Sequence, residues 1–290
     1  MPRSQLEQHP RFTELSPEVG EIDLEALEQA AAEDPDDTLP LLMLMARATD
    51  VSLRRRVRSL APRLVLERAR TGMRGGAGVA RLRAVPADRA GDLDVDASLD
   101  AVLDARAVRR VPDLADLRGL AWERPRAAVC LLLDRSGSME GRQLATAALA
   151  AAACALHATH AGSEIAVVAF DSRAEVLQPM GAAPVPDRVV DRVIGLRGHG
   201  VTSLDAALRA AAAQHLRSTA PRRVTLLLSD CRVTDDVDPT AAARGIEDLR
   251  IVAPAEDDEQ ARAFARAAGG RVATLATLRD LPRTLETLLD

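Results

Sequence analysis

The sequence predicts an α/β fold: a mostly parallel sheet with one antiparallel edge strand and helices on both faces, preceded by a small helical region. Three observations predict it. Residues up to about 105 carry helical patterning interrupted by polar, proline and glycine stretches. From about residue 126, short apolar runs alternate with helical segments, the pattern of βα units that build a parallel sheet. One pair of apolar runs is joined only by Asp171-Ser172-Arg173, which allows nothing but a hairpin and so reverses one strand. The expected division is 1–105 for the helical region and linker and 106–290 for the α/β domain.

Taken in order, Leu24, Leu27 and Ala31 mark a short amphipathic helix, bounded by Asp34-Pro35-Asp36-Asp37. Leu41–Ala46 and Val51–Ala69 predict two more, the second with a basic face at Arg54, Arg55 and Arg56. Gly72 to Gly91 mixes glycine, proline and arginine without period and reads as a loop or linker. Helical signals return over Ala97–Ala107, with Ser98 as a candidate cap. Ala127–Leu133 is a continuous apolar run, expected for a strand buried on both faces, and Arg142–Thr159 is the helix after it. Glu164–Phe170 and Ala174–Leu177 form the hairpin; Pro186–Ile194 and Ser203–Leu216 are helices. Arg223–Leu228 is the next buried strand. Leu249–Ala253, Asp257–Ala268, Arg271–Leu275 and Leu278–Leu289 then alternate strand, helix, strand, helix.

Composition excludes several classes of function. With 47% apolar and 28% charged residues, the chain is globular rather than disordered. Aromatics are only 1%, so Leu, Val and Ala must fill the core. Lysine, asparagine and tyrosine are absent, a bias that AT-poor coding explains. The arginines therefore say little about nucleic acid: 43 acidic residues outnumber 38 basic ones, and no stacking aromatics lie among them. Without lysine there is no ordinary P-loop, so any ATP hydrolysis must come from a partner. Cys130, Cys154 and Cys231 lack C-x-x-C spacing and imply no disulfide framework; the first two read as buried thiols and Cys231 as more exposed. Met1-Pro2-Arg3-Ser4-Gln5-Leu6-Glu7 lacks the apolar core of a secretion signal. The apolar helix near Leu144 to Leu156 falls short of the roughly 20 residues that span a bilayer. A cytoplasmic, membrane-free location is expected.

Chemistry concentrates at three strand or loop ends. Leu131-Leu132-Leu133-Asp134-Arg135-Ser136-Gly137-Ser138-Met139 is an apolar strand that ends on a carboxylate, followed by two hydroxyls before a helix. Gly198-His199-Gly200-Val201-Thr202-Ser203 offers another hydroxyl on a glycine-rich loop, and Leu226-Leu227-Leu228-Ser229-Asp230 ends a second strand on a carboxylate. Open α/β sheets bind ligands outside the carboxyl ends of their strands, and neighbouring strands would bring Asp134 and Asp230 together there. Asp134, Ser136, Ser138, Thr202 and Asp230 would offer all-oxygen coordination to Mg²⁺, with Mn²⁺ or Ca²⁺ as substitutes. Two carboxylates balance a divalent charge, so the metal could still take an acidic side chain from another protein. The helix starting near Gly141 points its positive end at the same region. Met139, His199, Val201 and Cys231 flank the ligands and are the expected partner contacts.

Each piece also has a plain structural use. D-x-S-x-S before a helix can be capping, Thr202 can cap the next helix, and Asp230 can initiate a turn. Their joint occurrence, in order and each at a strand or loop end, favours a metal site. No serine here stands in G-x-S-x-G and no H-E-x-x-H occurs, so neither a serine hydrolase nor a zinc enzyme is expected. No catalytic residue is assigned. His157, His160 and His215 read as surface residues.

The D-x-S-x-S, Thr, Asp set resembles the metal-ion-dependent adhesion site of von Willebrand factor A domains, a Rossmann-like fold. D-R-S-G-S-M-E-G, V-V-A-F-D-S and L-L-L-S-D are similar to bacterial cytoplasmic members: the CoxE-like proteins that work with MoxR-type AAA+ ATPases, and the D subunit of magnesium chelatase. The likeness covers residues from about 90 onward. It departs at Val201 and Cys231, both standing where glycine is common. The resemblance implies a non-enzymatic adaptor that docks an acidic partner through its metal and serves a MoxR-type AAA+ ATPase. A chelatase-like subunit and a scaffold with a degenerate site are the alternatives.

Overall fold

The computed structural model describes residues 1–73, 81–88, 92–123, 126–136, 141–198 and 200–289. The chain begins with five helices: α1 (Arg3–Leu6), α2 (Phe12–Leu15), α3 (Leu24–Glu33), α4 (Pro35–Met45) and α5 (Val51–Gly72). Acidic caps start three of them. Asp23 accepts from Ala26 N–H, Asp34 from Asp37 N–H, and Asp50 from Ser52 and Leu53 N–H. Then follow β1 (Arg81–Pro86), β2 (Asp92–Leu93), α6 (Val95–Ala107) and β3 (Arg118–Glu123). The rest alternates: β4 (Ala127–Asp134), α7 (Gly141–Ala161), β5 (Glu164–Phe170), β6 (Ala174–Gln178), α8 (Pro186–Ile194), α9 (Leu204–His215), β7 (Arg222–Leu228), α10 (Thr240–Arg244), β8 (Leu249–Pro254), α11 (Glu259–Ala268), β9 (Arg271–Leu275) and α12 (Leu281–Leu289).

Two compact units result. Met1–Gly76 and Arg126–Leu289 form the larger, and Ala77–Pro125 the smaller. This division differs from the one expected at residues 105 and 106. The N-terminal helices are part of the α/β unit, because their apolar faces are buried on its helix layer rather than against one another alone.

In the larger unit the sheet order is β6-β5-β4-β7-β8-β9, parallel throughout except for the edge strand β6. That is the expected sheet, hairpin included: Asp171 N–H donates to Arg173 O at 3.0 Å across the turn. Alternate side chains of the strands enter two separate cores. Ala128, Cys130 and Leu132 point to the face covered by α9, α10 and α11. Val129, Leu131 and Leu133 point to the face covered by α7, α8 and α12. Over this second face α4 packs on α7, and α5 on α7 and α8, adding a further layer. Helix α7 is thus enclosed, which is why it is built of alanines that let helices approach on one side and the sheet on the other. At 21 residues it is longer than expected and apolar enough to cross a bilayer, and 78% of its most apolar stretch is buried inside the protein. Gly72, at the end of α5, touches Pro282 of α12; a Cβ there would lie 2.8 Å from the proline ring.

The smaller unit holds a three-stranded antiparallel sheet of order β1-β3-β2 with α6. Strand β1 falls in the stretch expected to be loop. Asp94, not Ser98, caps α6, accepting from Ala97 N–H. Ser98 is buried and instead exchanges two hydrogen bonds with the Arg118 backbone, 3.1 and 2.9 Å, fixing α6 to β3.

Candidate functional site

The parallel register of β4 and β7 aligns Leu133 with Leu228. One residue further, each strand delivers a polar side chain to the carboxyl edge: Asp134 from β4 and Ser229 from β7. Ser229 Oγ donates to Asp134 Oδ2 at 2.6 Å and accepts from Cys231 N–H at 2.9 Å. Asp134 Oδ1 accepts from Ser136 N–H at 2.9 Å. Asp230 Oδ1 accepts from Arg232 N–H at 2.9 Å. Both aspartates therefore close tight turns of their own, as the plain structural use allowed for Asp230.

Asp134, Ser136, Ser229 and Asp230 line one cleft of about 410 Å³, with Arg142, Gln143 and Thr146 of α7 and Glu256 and Asp257 after β8. Burial pushes the Asp134 carboxyl above its ordinary range; the hydrogen bonds from Ser229 and Ser136 pull it back, and the charge of Asp230 adds to the rise. Arg232 pairs with Asp257 at 2.7 Å and reaches Asp230 only at 4.0 Å, so the aspartate pair keeps most of its negative potential.

Thr202 reaches the carboxyl edge by another route. It is buried, its N–H donates to Thr234 Oγ1 at 2.7 Å, and its carbonyl accepts from Thr234 N–H at 3.2 Å. Ser203, not Thr202, caps α9, accepting from Ala206 N–H. Ser203 N–H donates to Asp171 O at 2.8 Å, and the Asp171 carboxylate pairs at 3.0 Å with Arg135, the residue between Asp134 and Ser136. The capping role considered for Thr202 therefore belongs to its neighbour.

Val201 is exposed, as a partner contact requires. Cys231 is not: it is 4% exposed, contrary to expectation. Its φ of 61° is left-handed, which turns the thiol inward, where burial and then the charges of Asp230 and Asp134 push it up to about 12. It stays a protonated thiol beneath the site rather than a partner contact. Ser138, Met139 and His199, also assigned from sequence, lie outside the described residues. Ser229 was not assigned. Its signal was available in the sequence: it precedes Asp230 at the end of an apolar strand whose neighbour ends on Asp134.

The donor chemistry fits a small hard cation. Among the described residues no three His, Cys, Asp or Glu side chains gather into a metal-binding group, so hydroxyls would have to complete the coordination of the two aspartates. Asp134, Ser136 and Asp230 are oxygen donors on one cleft, and a divalent charge would relieve the burial and repulsion that raise Asp134.

Residues 129–232 match the model of the von Willebrand factor type A domain. No curated protein matches the sequence. Among solved structures, the chain is similar to a von Willebrand factor type A protein from Catenulispora acidiphila (20% identity, 59% of this chain and 43% of that one, TM-score 0.47). It is also similar to the D319A mutant of the PilB minor pilin from Streptococcus sanguinis (12%, 60% and 65%, 0.47). A third is an aerotolerance-related membrane protein from Bacteroides fragilis (12%, 57% and 98%, 0.46). The chain thus spans less than two thirds of the length of the first two. Residues 129–232 thus match a von Willebrand factor type A domain, and the mostly parallel six-stranded sheet with its antiparallel edge is the α/β fold expected of one.

Proposed function

We propose that the Asp134–Asp230 cleft binds Mg²⁺ and docks an acidic side chain of a partner protein, as a binding module without catalysis of its own. The observation that carries this is the pair of carboxylates at the ends of adjacent parallel strands, with Ser229 fixing the orientation of Asp134. Asp134, Ser136, Ser138, Thr202 and Asp230 would hold the metal, which would supply a positive centre with a position open to a carboxylate. Val201, with Met139 and His199, would frame the partner. The likeness of D-R-S-G-S-M-E-G and L-L-L-S-D to CoxE-like proteins supports a cytoplasmic adaptor role for a MoxR-type AAA+ ATPase, and the absence of lysine leaves ATP hydrolysis to that partner.

A second reading has its own observation. The Asp134 and Asp230 turns are complete without a metal, which suits a scaffold whose site is degenerate. Two measurements separate the readings. In thermal denaturation, Mg²⁺ should raise the Tm of wild type over EDTA and leave Asp134→Ala unmoved. In affinity capture from native cytoplasm, an AAA+ ATPase or its client should be retained by wild type in Mg²⁺ and lost in EDTA or with Asp134→Ala. No Tm shift, with partners held equally in every sample, would overturn metal docking in favour of the scaffold.

A further inference from the structure

A second cleft opens on the edge of the sheet away from β7. About 490 Å³ in volume, it is lined by Arg135, by Glu175, Val176 and Leu177 of β6, and by Arg192, Leu196 and Arg197 at and beyond the end of α8. Its charges are unequal. Glu175 is committed to Arg135, whose Nη1 lies 2.6 Å from its carboxylate, while Arg135 Nε faces Asp171 at 3.0 Å. Arg192 Nη1 donates to Leu177 O, and Arg47 Nη2 donates to Leu196 O. Among the described residues no carboxylate pairs with Arg192 or Arg197. On a chain of net charge −5, this pocket of guanidinium groups stands against the carboxylate-lined cleft on the other side of Asp134.

The two clefts are joined through the chain. Arg135 lies between Asp134 and Ser136, and Arg197 is five residues before Thr202. We infer that the Arg135–Arg192–Arg197 cleft is a second seat for an acidic protein segment, taking a carboxylate adjacent to the one docked at Asp134 and Asp230. This rests on the docking function proposed above. Arg197 makes the recognition: it is exposed, and its fork of N–H donors matches a carboxylate in two parallel hydrogen bonds. Arg192, bound only to a backbone carbonyl, adds positive potential, while the charge of Arg135 is taken up by Asp171 and Glu175. The surface then selects partners by runs of acidic residues rather than by a single one.

The test compares a labelled hexaglutamate peptide with a Gly/Ser peptide of equal length bearing one Glu, by fluorescence anisotropy in Mg²⁺ and in EDTA. Wild type should prefer hexaglutamate in Mg²⁺ by about tenfold beyond the statistical advantage of six carboxylates over one, the factor expected for a well-formed guanidinium–carboxylate contact. Arg197→Glu should reduce the preference to that statistical advantage or below and leave the single-Glu affinity and its Mg²⁺ response intact. Arg217→Glu, an equal charge change on the exposed end of α9, should keep the preference. An unchanged preference in Arg197→Glu, or equal loss in both variants, overturns the second seat. Arg197-dependent preference without any Mg²⁺ response supports the seat and removes the metal docking alone. An oligothymidylate that displaces hexaglutamate and itself depends on Arg197 would assign the cleft to nucleic acid and overturn the proposal.

Discussion

Ser229 Oγ donates to Asp134 Oδ2 over 2.6 Å, linking the ends of two strands 95 residues apart in sequence. The hydroxyl also accepts from Cys231 N–H, so its proton is directed at the carboxylate and one rotamer of Asp134 is selected. A residue that orients a ligand typically contributes roughly 10–100-fold to metal affinity. Ser229→Ala is therefore expected to weaken Mg²⁺ binding by that order in titration calorimetry, while stability falls by only about 1–2 kcal/mol. Affinity equal to wild type would mean that Ser229 only closes a turn.

Asp134 carries an electrostatic load, since burial and Asp230 both oppose its charge. Asp134→Asn keeps the shape and removes the charge. The expected outcome is a Tm in EDTA at or above that of wild type, with no further rise on adding Mg²⁺. A wild-type Mg²⁺ shift in this variant would place the cation elsewhere.

Thr202 is buried, and its backbone already pairs with Thr234. Thr202→Val keeps volume and backbone and removes only the hydroxyl. Unfolding by urea should change by less than about 1.5 kcal/mol, the range of a lost hydrogen bond. Mg²⁺-dependent capture of the partner should weaken. Capture at wild-type strength would exclude the threonine from the metal's coordination.

The sheet was legible because its strands are continuous apolar runs, and a run such as Ala127–Asp134 ends where a carboxylate must leave the core. The pairing of Asp134 with Asp230 followed from that alone. The packing of the N-terminal helices was harder to read, although α7 held a signal. Its apolar residues surround the helix instead of forming one stripe, which calls for cover on every side. His215 was misjudged as a surface residue for a related reason. Alanines blur the face of α9, yet Leu204, Ala207, Leu208 and Ala211 form a buried stripe that His215 continues. Strand β1 has no such signal, since Arg81–Pro86 lies among glycines, prolines and arginines. Cys231 depends on a backbone angle that its neighbours in sequence do not dictate.

That angle yields a prediction. A non-glycine residue in the left-handed region costs about 1–2 kcal/mol, and a β-branched one more. Cys231→Gly relieves this while losing a small buried thiol, so its stability should stay within about 1 kcal/mol of wild type. Cys231→Val must put two methyl groups into the same closed space at φ 61° and should lose about 2 kcal/mol or more by urea denaturation. If valine is tolerated as well as glycine, the turn relaxes and does not hold the Ser229–Asp134 contact in place.

His215 sets a dependence on pH away from the Asp134–Asp230 cleft. It is 6% exposed, Nε2 lies 2.9 Å from Thr225 Oγ1, and Nδ1 has no hydrogen-bond partner among the described residues. Burial first, and then the charge of Arg223, lower its pKa from 6.5 to about 4. The folded protein thus holds the neutral ring in a range where the unfolded chain takes up a proton. Stability is complete above about pH 6.5 and falls as pH drops toward 4, by at most about 3 kcal/mol for this one group. His215→Gln removes the titration and keeps a polar contact for Thr225. The difference in unfolding free energy between wild type and variant should therefore change with pH between 4 and 6.5 and be constant above. A difference that is flat across that whole window would show that the imidazole titrates alike in both states, and that its burial carries no pH-dependent stability.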